Sequence, residues 1–163
     1  MKVSNEELIA KNIMLAFREN SVFLGDACVY SSYLTKQLLQ EKLNLKAKLV
    51  AGTVNFSPAD IGLAYMWDPP REFHMWTKLG LKIIDIAVID VPMRDDFNPK
   101  YLNSHYIKDK MFPLVWDKNP PFKYTKVKNG VKQIESPVDS EIYKKLYKHT
   151  SDLIDEELKN NIC

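Results

Sequence analysis

The sequence predicts an α+β fold: N-terminal helices packed on an antiparallel sheet, closed by a C-terminal helix, in a single domain spanning residues 1–163. Three observations predict it. Apolar residues recur at helical spacing in two early segments and one late segment. Between them the period changes, and β-branched residues take over. Short glycine-containing turns, at Gly80 and at Asn129-Gly130, join the apolar runs there as hairpins.

The first helix starts from a capping-box pattern, Ser4 with Glu7, and carries Leu8, Ile9, Ile13, Met14, Leu15 and Phe17 toward the core. It is expected to end near Asn20. Residues 21–26 form a connection in which Gly25 permits a tight backbone, and Asp26 is the expected N-cap of a second helix over residues 27–43. Val29, Tyr30, Tyr33, Leu34, Leu38 and Leu39 make its buried stripe, with Gln37, Gln40, Glu41 and Lys42 toward water.

Residues 47–56 read as a strand. Residues 57–72, with three prolines and Trp67, read as a long loop of the kind that binds or covers a site. Residues 73–79 and 81–88 make two strands joined at Gly80, and residues 91–121 are irregular, broken by prolines. A hairpin of residues 122–127 with 131–134 follows. Asp139 then caps a final helix reaching about Lys159. No internal repeat, low-complexity segment or linker is visible.

At 163 residues and 45% hydrophobic content, the chain is long enough for a sizeable core. A net charge of +2 gives no strong attraction to nucleic acid, and the lysines of residues 124–132 read as a solvated hairpin. Residues 1–20 mix charged with apolar side chains, so no signal peptide, membrane span or membrane partner is expected. A reducing cytoplasm is the expected compartment, with secretion lacking a cleavable signal left open. The cysteines are Cys28 and the terminal Cys163, in a tail expected to fray; a disulfide between them is formally allowed, but two cysteines do not frame a small secreted scaffold.

Candidate chemistry rests on Cys28, His74 and Asp85. A thiol reacts as thiolate, and a helix start and a neighbouring imidazolium both favour that form. Cys28 opens the second helix. His74 and Asp85 lie in the two strands joined at Gly80, where Asp85 would accept the second ring N–H of His74 and orient it. With a tight turn, His74 falls opposite Ile86 and Asp85 lies one step out of register; a bulge or longer turn aligns them. Backbone amides at the helix start, that of Cys28 included, would form the oxyanion hole. Alone, Cys28 reads as a small buried hydrophobe and His74 as a core histidine. Asp85 resists such an account, because a carboxylate among Ile83, Ile84, Ile86 and Ala87 needs a partner.

The order and setting of these residues resemble the papain-like cysteine superfamily, in its transglutaminase-like branch. The shared pattern is a Cys opening a helix, then a strand with His followed by Trp (His74-Met75-Trp76), then Asp in an apolar strand (Ile83-Ile84-Asp85). It covers residues 23–88, and implies nucleophile, base and orienter for Cys28, His74 and Asp85. Transglutaminases proper carry a tryptophan N-terminal to the nucleophile, where this chain has Gly25, Asp26 and Ala27. The resemblance therefore implies a small bacterial or phage-type hydrolase or acyltransferase, of peptidase, amidase or deamidase type, rather than a protein cross-linker. It would work through a covalent acyl-enzyme on a peptide, protein or small amide or ester, without a cofactor.

The alternative is a non-catalytic module that binds a peptide or protein through residues 57–72. Asp90 is a fallback orienter, on an odd offset from Asp85, and His105 and His149 read as surface residues. Tyr65, Trp67, Trp76 and Trp116 line either a groove or the core, and Gln37 lies too far along its helix to aid an oxyanion. Zinc is disfavoured because no paired ligands stand at short spacing. The five glycines form no dinucleotide or phosphate loop.

Overall fold

A computed structural model describes residues 3–59, 61–95, 113–117, 120 and 122–161. The expected α+β class is observed. Helices α1 (Asn5–Glu19), α2 (Cys28–Leu43) and α3 (Glu141–Asn160) accompany an antiparallel sheet. Its strands are β1 (Lys48–Asn55), β2 (Ala64–Tyr65), β3 (His74–Leu79), β4 (Lys82–Ile84), β5 (Val115–Trp116) and β6 (Lys123–Lys126). They run in the order β2-β1-β3-β4-β5, with β6 also paired to β1.

Local chemistry sets the helix ends. The Ser4 hydroxyl accepts the Glu7 amide at 3.2 Å while the Glu7 carboxylate accepts the Ser4 amide at 2.9 Å, so the capping box forms in full. The start of α2 differs from expectation. Ala27 is its N-cap and no side chain caps it, because Asp26 belongs to a preceding 3-10 turn, Leu24–Asp26, with its side chain in solvent. Helix α3 is capped by Ser140, whose hydroxyl accepts the Tyr143 amide at 3.2 Å, and not by Asp139.

Two apolar clusters lie on the two faces of the sheet. One gathers Leu8, Ile9, Ile13 and Phe17 of α1, Leu34, Leu38 and Leu39 of α2, and Leu146 and Ile154 of α3 around Ile84 and Ile86. The other holds Val50, Val54, Phe56, Trp76, Ile83 and Phe122. Helix α2 meets the sheet differently from the expected stripe: Ser31, Ser32 and Thr35 are buried, while Val29, Tyr30 and Tyr33 are only partly so. The Ser32 hydroxyl donates to the Met75 carbonyl at 3.0 Å, and Thr77 donates to the Ser32 carbonyl at 3.1 Å. Small hydroxyl side chains let the helix approach β3 closely, with their polar groups satisfied.

The segments read as loops are more ordered than their composition implied. Within residues 57–72, β2 pairs with the end of β1, and Asp68 bridges Glu72. The expected strand over 81–88 stops at Ile84. The Asp85 amide bonds the Leu114 carbonyl at 3.1 Å, one step beyond the β4–β5 pairs, and a 3-10 turn, Ala87–Met93, follows. The hairpin expected at 122–134 does not form. Residues Gly130–Gln133 make a 3-10 turn, and β6 pairs with β1 instead. His105, Cys163 and most of residues 91–121 lie outside the described residues. Among the described residues, no helix is long and apolar enough to cross a membrane.

That pairing needs a glycine at position 52. A Cβ there would sit 1.9 Å from the Thr125 carbonyl oxygen. Gly52→Ala is therefore expected to drive β6 from β1 and cost about 2 kcal/mol or more in a urea melt.

Candidate active site

His74 is the first residue of β3, and Asp85 follows directly on the last residue of β4. Between them the chain turns through Gly80 and Leu81, Gly80 at a φ of +60°, and Leu79 pairs with Lys82. This turn is one residue longer than the tight one considered above. Thr77 then pairs with Ile84, so Asp85 continues the ladder on the same face as Trp76 and His74, diagonal to His74. The His74 Nε2 and Asp85 Oδ2 atoms are 2.7 Å apart, both side chains fully buried.

The pair is enclosed by aromatic rings. Tyr65 stacks on the imidazole with centroids 4.5 Å apart, and Trp76 lies beyond at 6.1 Å. The Tyr124 hydroxyl donates a second bond to Asp85 Oδ2 at 2.8 Å. Burial alone would drive the His74 pKa down. The charge of Asp85 and its hydrogen bond outweigh burial, Cys28 adds a further contribution, and the pKa is pushed up to about 10. The imidazole is thus held as imidazolium at neutral pH. Burial and the Asp85 charge raise the Tyr124 pKa well above its ordinary value, which keeps the phenol protonated as a donor.

The other ring nitrogen, Nδ1, is buried and makes no well-formed hydrogen bond. Cys28 lies near enough to the ring to be among the groups that raise its pKa. Cys28 is a free, partly exposed thiol at the first position of α2. The first amides of a helix have no intrahelical acceptor, and here the N-cap, Ala27, has no polar side chain to take them. A thiol, an adjacent imidazolium and uncapped helix amides thereby share one location.

Several contacts hold Cys28 in place. Ser32, one turn along α2, is tied to Met75, the neighbour of His74. The turn before the cysteine is held by Asp90, which accepts the Leu24 amide at 3.3 Å and pairs with Arg18 at 3.4 Å. Asp90 is therefore a support for that turn rather than an orienter of His74. The Tyr65 hydroxyl donates to the Gly25 carbonyl at 3.1 Å and accepts from Arg94 at 3.0 Å.

Cys28 opens onto a cleft of about 620 Å³ lined by Asp26, Tyr65, Asp68, Arg71, Glu72 and Arg94 among others, so the end of the 57–72 segment forms its wall. A second hollow of about 370 Å³ shares Val29, Pro70 and Phe73 with it and continues to Ile134 and Pro137. The remaining candidates lie elsewhere. His149 pairs with Glu19 at 2.6 Å between α3 and α1, and Gln37 accepts from Tyr143. Trp76 is core; Trp116 packs on Phe122, and Trp67 lies against Phe73. Among the described residues, no three His, Cys, Asp or Glu side chains are arranged to hold a metal ion.

Tyr124, Ser32 and Arg94 escaped the reading of the sequence. Tyr124 carried a faint signal, an aromatic between lysines on a short strand, but nothing local ties it to a carboxylate 39 residues away.

Two consequences are measurable. Tyr124→Phe removes one of the two donors to Asp85 Oδ2, and should lower stability by about 1–2 kcal/mol in denaturant melts. Folding raises the His74 pKa above the unfolded value of 6.5, so its stabilisation is complete below about pH 6.5 and is lost as pH rises toward about 10. Melting temperature should fall across that interval, and the fall should flatten in Asp85→Asn.

Comparison of the chain with protein-family models, with curated proteins and with solved structures found no match, so function has to be argued from this geometry.

Proposed function

We propose that this chain is a cysteine-dependent hydrolase or acyltransferase of the papain-like, transglutaminase-like kind, with Cys28 as nucleophile, His74 as acid and base, and Asp85 as orienter. One observation carries the reading: a fully buried His74–Asp85 pair with one ring nitrogen unbonded, whose imidazole feels a partly exposed thiol at the start of α2.

The chemistry follows from that arrangement. The Cys28 thiolate adds to the carbonyl carbon of an amide, ester or thioester, and helix-start amides bind the oxygen as it gains charge. The His74 imidazolium gives its proton to the leaving amine, alcohol or thiol as the carbonyl re-forms, which leaves an acyl-Cys28 thioester and neutral imidazole. Water or an acceptor amine then attacks, its proton passing to His74, and the thiolate departs. No cofactor takes part. Asp85 holds the ring in one tautomer and balances the imidazolium, and Tyr124 holds Asp85. The two adjoining hollows suit an extended substrate, a peptide or protein segment, or a smaller amide or ester. A reducing compartment such as the cytoplasm suits a mechanism that depends on a free thiol.

Alkylation by iodoacetamide across pH tests the reading. A thiol with a pKa of about 8.5 is only roughly 1% thiolate at about pH 6.5. Cys28 should react at that pH at least about tenfold faster than such a thiol, and His74→Ala should remove the advantage, as should Asp85→Asn in part. Circular dichroism would confirm that the variants are folded. A rate that rises only near pH 8.5, and that does not respond to His74→Ala in a folded variant, would sink the proposal.

A further inference from the structure

On the sheet face turned away from the helices lies a hollow of about 430 Å³ with no part in the site above. The ladder builds it. Lys48 of β1 stands directly opposite Lys78 of β3, and Val50 opposite Trp76, while Ile83 of β4 faces Lys78 from the other side. Lys46 and Lys126 complete a rim of four ammonium groups over a floor of Val50, Trp76, Ile83 and Tyr124.

Two features set this rim apart from an ordinary solvated surface. Like charges directly opposite each other across a ladder are destabilising. None of the four lysines has an acidic partner within ion-pairing reach among the described residues, whereas Lys42, Lys82 and Lys148 each do. Lysines on sheet edges guard against strand addition, which accounts for Lys126 on β6. That explanation fails for Lys78, which is paired on both sides, with Lys48 of β1 and Ile83 of β4. Two cations without acidic partners are thus held against each other across the β1–β3 ladder, over a concave floor of small-molecule size.

We propose that this hollow binds a small phosphorylated molecule carrying two or more negative charges. The rim contains lysines and no arginine, so it offers point charges, which suit the tetrahedral phosphate better than the planar carboxylate that an arginine fork matches. The bound anion would relieve the Lys48–Lys78 repulsion, and the mixed floor would receive the uncharged part of the ligand. This inference is independent of Cys28 chemistry, although Trp76 and Tyr124 take part in both sites, from opposite ends.

Titration calorimetry with inorganic pyrophosphate and tripolyphosphate, at fixed ionic strength near 0.15 M, tests it. Saturable one-site binding is expected, stronger for tripolyphosphate. Lys48→Gln and Lys78→Gln should each weaken it about tenfold, while Lys144→Gln on α3 should leave it unchanged. Without ligand, Lys48→Gln and Lys78→Gln should melt no lower than the parent chain, and higher where the repulsion is felt. Absence of saturation, or binding indifferent to both hollow variants, would overturn the proposal. So would an oligonucleotide that binds far more tightly than tripolyphosphate, with affinity growing with its length, since that would make the face a nucleic-acid surface instead.

Discussion

The buried pairing of His74 with Asp85 is the constraint around which this fold is arranged. Two ionisable side chains with no solvent exposure must satisfy each other, and the surrounding elements are placed so that they can. Just past the end of β4, the Asp85 amide holds the Leu114 carbonyl in step with β5, which fixes Asp85 on the sheet face of His74. Tyr124 crosses from β6 to give the carboxylate a second donor, and Tyr65 and Trp76 shut the imidazole between rings. These residues come from β2, β3, β6 and the end of β4. The pair is therefore assembled only when the whole sheet is.

The position of Cys28 depends on the same sheet through a second device. Helix α2 reaches β3 with serine and threonine where a leucine stripe would stand the helix further off. The hydrogen bonds between Ser32, Met75 and Thr77 lock the first turns of the helix against the strand that begins at His74. The preceding turn is clamped by Asp90, Tyr65 and Arg94. An uncapped helix end is ordinarily a cost of about 1 kcal/mol. Here the clamped turn holds that end open at the thiol.

Much of this was legible in the sequence where the signal is local. The capping box at Ser4, the helical period of α1 and α3, and the strand carrying His74 all depend on neighbouring residues, and they form; the strand expected to carry Asp85 stops one residue before it. Asp85 was conspicuous for a physical reason, since an isoleucine-rich strand does not tolerate an unpartnered carboxylate. The misreadings share a cause, which is competition decided by distant partners. Asn129-Gly130 has hairpin chemistry, and Asn129 does adopt the left-handed conformation, at a φ of 56°. Gly52 nevertheless offers β6 a closer neighbour in β1. Ser31, Ser32 and Thr35 fall outside the expected buried stripe because hydropathy cannot show which carbonyl a hydroxyl will find. Asp85 was taken as out of register by one residue, a difference set by whether Leu81 belongs to the turn or to the strand.

The unsatisfied atoms of the pair favour the proposed role over a purely structural one. Buried ion pairs are seldom retained for stability, since well-packed apolar residues of similar volume do as well or better. A pair kept for structural specificity would have its remaining polar atoms bonded, because each buried orphan costs about 1–3 kcal/mol. Yet His74 Nδ1 and Asp85 Oδ1 both lack hydrogen-bond partners among the described residues. The nitrogen is the telling one. His74 is gripped at Nε2 and stacked on its face, so the ring is held while its second nitrogen is left unbonded, as the proposed proton exchange with Cys28 requires. A histidine that served only the core would turn that nitrogen toward a carbonyl. One that exchanges protons with a nucleophile has to leave it open.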